Sequence, residues 1–170
     1  DLGTKLLSMA QDLRKKPEER IVLDPADTLC KVHLAAQGVL QQARATFFLD
    51  VLDCKPADAT ACLRDLQTKC TVYHSWAKPL LAGVSPAARK VAAGPCAQVL
   101  LLTQALLGKA ANEQVRPADL GHFEAAVEQL QALPVRSTDA ARGTLLKSEE
   151  LLADALEEVG LAVSVQYAQP

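Results

Sequence analysis

Cysteine and histidine are the residues in this chain best suited to chemistry, and their spacing limits what they can do. The cysteines are Cys30, Cys54, Cys62, Cys70 and Cys96; the histidines are His33, His74 and His122. No two cysteines stand in the two-residue gap of zinc-binding motifs. Cys30 and His33 are three apart and Cys70 and His74 four apart, so each pair shares one face of a helix. Helical bundles build metal sites from such pairs on facing helices. Folding this chain as a hairpin, however, leaves the two pairs about ten residues apart in height, or ~15 Å. Zinc needs every ligand within about 2.0–2.3 Å of the ion. No metal site and no cofactor are expected, and His33 and His74 read as ordinary boundary residues.

The signals of catalysis are equally thin. No Ser–His–acid set has a local signature. The glycines are scattered singly, so no phosphate-cradling loop forms. Glu149, Glu150, Asp154, Glu157 and Glu158 cluster near the C-terminal end; they read as the solvated side of an amphipathic helix. The chain is therefore expected to bind rather than catalyse. Trp76 is the single tryptophan, of a type enriched at binding hot spots. Together with the basic run Arg14-Lys15-Lys16 it is a candidate partner contact.

Positioning these residues falls to helices. Of 170 residues 49% are apolar and only 4% aromatic. The apolar share is mostly Ala, Leu and Val, a composition that favours helix over strand. Net charge is −2, and there is no basic stripe to neutralise a phosphate backbone. Nucleic-acid binding is not expected on that ground. The longest apolar run, Val99-Leu100-Leu101-Leu102, is far short of the roughly 20 residues a spanning helix needs, so no transmembrane segment is expected. The chain opens at Asp1 without a signal-like stretch, as a mature form with its targeting segment removed would.

Apolar positions at helical spacing predict a first helix over 4–16, closed by Pro17. Asp24-Pro25 opens a long helix to about Asp53. Another runs from Pro56 to Ala77 and stops at Lys78-Pro79. Ser85-Pro86 starts the next, to about Ala110, with Gly94-Pro95 marking a kink or a division. Pro117-Ala118-Asp119 starts a helix closed by Pro134, and a final helix, capped by Ser137, Thr138 or Asp139 and stopped at Gly160, carries Leu145, Leu146, Leu152 and Leu156. The tail 161–165 alternates as a short strand or extended arm does. The expected architecture is one all-α domain, an antiparallel up-and-down bundle. Residues 1–23 form an N-terminal helix and link, 24–133 a four-helix core, and 134–170 a C-terminal helix and tail.

On that frame the cysteines become staples. Cys54 and Cys62 flank one turn. Cys70 and Cys96 lie about eight residues before and ten after the next, differing in height by only ~3 Å. A disulfide needs Cα atoms within about 7 Å. The expected bridges are Cys54–Cys62 and Cys70–Cys96, with Cys30 a free, buried thiol. Disulfides persist in oxidising compartments. The alternative is five reduced core cysteines in a cytosolic protein.

Over residues 24–133 the layout of a long helix, a break, a second and third helix and a proline-started fourth resembles the PsbQ-like extrinsic proteins of photosystem II. The local similarity is Arg116-Pro117-Ala118-Asp119 followed by Phe123, Ala126-Val127 and Leu130, which looks like the family's final helix. The chain departs from the family in its helix at 4–16, its segment after Pro134 and its five cysteines. The resemblance implies a non-catalytic accessory subunit of the thylakoid lumen, docked on membrane complexes of photosynthesis. Two other classes fit the helices: a secreted, extracellular cytokine-like ligand, which the short Cys54–Pro56 turn disfavours, and an adaptor bundle, which requires reduced cysteines.

Overall fold

The computed structural model describes residues 1–19, 24–48 and 59–133. Cys54, the segment after Pro134 and the tail lie outside them, so the expected Cys54–Cys62 bridge and C-terminal helix do too.

Four helices begin where a side chain satisfies a free backbone amide. The Asp1 carboxylate accepts from the Gly3 amide at 3.2 Å and opens α1 (Leu2–Arg14). Asp24 does the same for Ala26 at 3.1 Å and, with Pro25 in the first turn, opens α2 (Pro25–Phe47). Ser85 Oγ accepts from Ala88 and opens α4 (Pro86–Ala111). The Asp119 carboxylate takes the Arg116 amide at 2.8 Å and opens α5 (Pro117–Gln129), which tightens into a 3-10 turn, Leu130–Ala132. The protein is all-helical; the described residues contain no strand.

Two prolines lie inside helices, and the first of them departs from expectation. α3 spans Ala59–Gly83 and runs straight through Pro79 instead of stopping at Lys78. Likewise α4 contains Pro95 as one helix, neither ending nor dividing there. A proline inside a helix costs one backbone hydrogen bond and crowds the preceding turn. Burial outweighs that cost here: Ala77, Leu80, Leu81, Cys96 and Ala97 all sit in the core. At the end of α3, Arg89 Nε reaches back over the turn and donates to the Leu81 carbonyl at 3.1 Å. It thereby satisfies one of the carbonyls a helix end leaves free.

The largest interfaces join α2 to α3 and α1 to α4; α5 and the 3-10 turn pack against α2, and α5 also against α4. Between α2 and α3, Lys31 lies over Trp76, Gly38 faces Lys69, and Gln42 Nε2 donates to the Cys62 carbonyl. One continuous core results. Tyr73, Phe123, Leu6, Leu13, Leu66 and Leu100 are its largest fully buried side chains. Ala36, Ala43, Ala88, Ala92 and Ala97 fill the spaces between.

α4 is the most apolar element, with a mean hydropathy of 1.5 over 18 residues. By length and composition alone it is long and apolar enough to cross a membrane, a test that a buried core helix also passes. Gln98, Thr103 and Gln104 break the run without adding charge. In this fold α4 contributes Ala92, Cys96, Val99 and Leu100 to the core.

Leu100 fills the centre of that core. Leu100→Ala is expected to destabilise the protein by ~2–5 kcal/mol through lost burial and the cavity left behind. Tyr73→Phe, which keeps the ring and removes one hydroxyl, costs only about 1 kcal/mol. Guanidinium unfolding of the two variants checks this order.

Candidate functional site

Three groups of polar or exposed side chains stand out against the alanine and leucine core. The first is buried where α3 crosses α4. Tyr73 Oη donates to the Cys96 carbonyl at 2.6 Å, the Cys70 side chain hydrogen-bonds with Thr103, and Thr103 Oγ1 donates to the Val99 carbonyl at 2.8 Å. Every polar side-chain atom buried among the described residues has a partner. Burial pushes the Cys70 thiol up to about 12, against a smaller lowering by Thr103, and pushes Cys96 to about 12 as well. Burial, then Cys96 and Cys70, holds the Tyr73 phenol well above its ordinary range. Neither thiol is available as a thiolate at neutral pH, so this group is structural rather than nucleophilic.

The expected Cys70–Cys96 disulfide is absent: Cys30, Cys62, Cys70 and Cys96 are all free thiols. The reason lies in the register. Because α3 continues to Gly83, the turn is centred between Gly83 and Ser85 rather than at residue 81. Tyr73 then stands opposite Cys96, and Cys70 lies deeper along α3, against Thr103. Cys30, expected to be buried, is exposed. α2 turns Thr28, Val32, Ala36 and Val39 inward, which directs position 30 outward at 100° per residue.

The second group ties α1 to α3. Asp12 Oδ2 accepts from His74 Nε2 at 2.8 Å and Lys78 Nζ at 3.1 Å. Burial alone would raise the Asp12 carboxyl; hydrogen bonds from Lys78 and His74 outweigh it and hold the group below the usual carboxylate range. The cluster borders a cavity of about 440 Å³ between α3 and the segment after α1, lined in part by Lys15, Lys16, Glu18, Glu19 and Ser75. Positive and negative groups alternate around it, so it favours neither an anion nor a cation. A sequence separation of 62 residues hid this cluster from any local motif.

The third is on the surface. Leu34 is 65% exposed, Val72 44% and Trp76 37%. Leu34 lies one turn from Lys31 on α2, and Val72 one turn from Trp76 on α3. Lys31 Nζ sits 4.7 Å from the Trp76 ring centroid and also pairs with Asp27 at 3.2 Å. Leu34 on α2 and Val72 and Trp76 on α3 are thus exposed apolar side chains on two helices packed against each other. Trp76 is therefore part-exposed, with its ring beneath the Lys31 ammonium. The basic run is elsewhere: Arg14 ends α1, while Lys15 and Lys16 line the cavity on the Lys78 side of α3. The two candidate partner contacts are not brought together.

His33 is buried beneath the 3-10 turn, with its Nδ1 3.4 Å from Gln131 Nε2, and it does not meet His74. Among the described residues no cluster of His, Cys, Asp or Glu is suited to hold a metal ion. No family model, curated protein or solved structure matches the chain.

The Asp12 geometry has a pH signature. A carboxyl held lower in the folded state than in the unfolded chain stabilises the fold above the ordinary carboxylate range. That contribution disappears as pH falls through the depressed value. Asp12→Asn is expected to cost about 1 kcal/mol or less at neutral pH, as a part-exposed ion pair does. It also flattens the loss of stability below pH ~4, leaving the part due to Asp119, which Lys109 and the Arg116 amide likewise hold low. Urea unfolding across pH 2–7 reads both effects.

Proposed function

We propose that this chain is a non-catalytic helical bundle that docks on a larger protein complex through the α2–α3 groove. The observation that carries the reading is the exposure of Leu34, Val72 and Trp76 on the adjacent helices α2 and α3, with Lys31 over the indole. A tryptophan face part-covered by a cation already presents the amphipathic surface that hot spots use, at little entropic cost on binding.

An up-and-down antiparallel topology fits this proposal. Along α2 and α3 the pairs 31–76, 38–69 and 42–62 run in opposite directions. The pairs 73–96 and 81–89 do so between α3 and α4, and 44–124 and 33–131 between α2 and α5. Short connections between the helices are what such a bundle requires.

The narrower form of the proposal is a PsbQ-like accessory subunit, docked on photosynthetic membrane complexes in the thylakoid lumen. The Arg116–Asp119 helix start that carried the resemblance is supported by the Asp119 cap of α5. A second reading, an adaptor bundle of a reducing compartment, is favoured by one observation: the four described cysteines are thiols.

Retention on pigment-bearing thylakoid membranes tests the docking and its narrower form together. The protein is expected to co-sediment and to be released by high salt. Trp76→Ala and Leu34→Ser should weaken retention by more than ~10-fold while changing folding stability by about 1 kcal/mol or less. Recovery as a free monomer, with wild type and both variants equally unbound, contradicts the photosynthetic reading.

A further inference from the structure

The exposed side of α2 and α3 has an internal order that narrows what can dock there. On α2, Asp27, Lys31 and Leu34 follow one another at spacings of four and three residues; on α3, Asp65, Lys69 and Val72 repeat those spacings. Such spacings keep each set on one side of its helix, and all six residues are exposed. Each lysine reaches toward the opposite helix. Lys31 Nζ lies over the Trp76 ring, and Lys69 Cδ lies 3.6 Å from where a Cβ on Gly38 would stand. The two sets differ at their next position, four residues on, where α3 has Trp76 and α2 has Gly38.

In the antiparallel register that the contacts 31–76 and 38–69 define, Val72 lies within about one residue, or ~1.5 Å, of the Leu34 level. Lys31 and Lys69 then flank this apolar centre, about seven residues or ~10.5 Å apart along the helices. Asp27 and Asp65 stand one turn further out at the two ends. The order acid, base, apolar, base, acid reads the same from either end. A second copy laid with its helices along these would set lysine against lysine in both directions, so the face disfavours self-pairing. Asp27 holds Lys31 at 3.2 Å in an exposed pair, whereas Lys69 meets no carboxylate among the described residues.

Resting on the docking reading above, we infer that the occupant is an amphipathic helix of a partner protein, with two carboxylates two turns apart and an apolar side chain between them. Residues seven apart on an α-helix share a face and stand ~10.5 Å apart, the separation of the two lysines along the groove. One carboxylate supplies Lys69 with the counter-charge it lacks. The other takes Lys31, whose exposed pair with Asp27 contributes little and exchanges readily. The apolar side chain between them covers Leu34 and Val72. Trp76 stands beside Lys31 and not beside Lys69, which distinguishes the two directions in which the partner helix can lie.

The test titrates the full chain with an alanine-based helical peptide that has glutamates two turns apart, leucine between them and no tryptophan. Trp76 is the single tryptophan of the chain, so its emission reports occupancy. A saturable change is expected, weakened by salt and absent with a peptide carrying lysines in place of the glutamates. Lys69→Glu should leave the urea midpoint unchanged, as an exposed site does, and weaken the glutamate peptide on the order of 10-fold. A peptide with one glutamate changed to lysine should recover binding to that variant. No saturable response, equal binding of the glutamate and lysine peptides, or wild-type affinity in Lys69→Glu overturns the inference. Self-association of the chain alone that Leu34→Ser abolishes assigns the face to a second copy and overturns it as well. In the membrane-retention assay, loss with Trp76→Ala but not with Lys69→Glu leaves the docking reading standing and rejects this partner chemistry.

Discussion

The absence of charge in α4 constrains the rest of the structure. Eighteen residues without a charged side chain leave a largely apolar helix that water favours poorly. α1 lies along it, α5 flanks its second half, and α3 crosses it at Tyr73 and Cys96. Small residues make that approach close: Ala88, Ala92, Cys96 and Ala97 keep the face of α4 low, so Tyr73 and Phe123 can supply the bulk. With so few aromatic residues, stability rests on many modest contacts rather than on a few large ones.

The crossing of α3 and α4 also shows how one backbone decision propagates. A helix that ended at Lys78 would have set Cys70 and Cys96 level across the turn. Extending it by five residues, through Pro79 to Gly83, places Tyr73 in that position. The Tyr73 hydroxyl then takes a carbonyl of α4, and the Cys70 side chain turns to Thr103. A polar seam results in which every buried side-chain group has a partner. Mispairing such a seam is costly, which gives it a role in setting the register of the two helices.

Much of this was legible from residue patterns. The caps Asp24-Pro25, Ser85-Pro86 and Pro117-Ala118-Asp119 mark three helix starts because each supplies a side-chain acceptor and a residue pre-set for the first turn. The inward stripe of α2 followed from period alone. Pro79 misled because tertiary burial overrode its local cost: it is tolerated, as Pro95 is, where the residues around it are buried. The Asp12–His74–Lys78 cluster was invisible because its members come from two helices far apart in sequence. The exposed side of α2 and α3 was half legible: Trp76 stood out, but Leu34 and Val72 acquire meaning only when the two helices lie side by side.

The state of the core thiols ties fold to setting, since a stapled bundle belongs to an oxidising compartment and a thiol-bearing one does not require it. The most direct measurement is alkylation of the native, unreduced protein with iodoacetamide, followed by peptide mass mapping. The structure predicts rapid labelling of exposed Cys30, and labelling of Cys70 and Cys96 only at the rate of global unfolding, with no peptide joining the two. A disulfide-linked peptide containing Cys70 and Cys96, or their labelling as fast as Cys30 in the folded protein, would contradict the α3–α4 crossing on which the account rests.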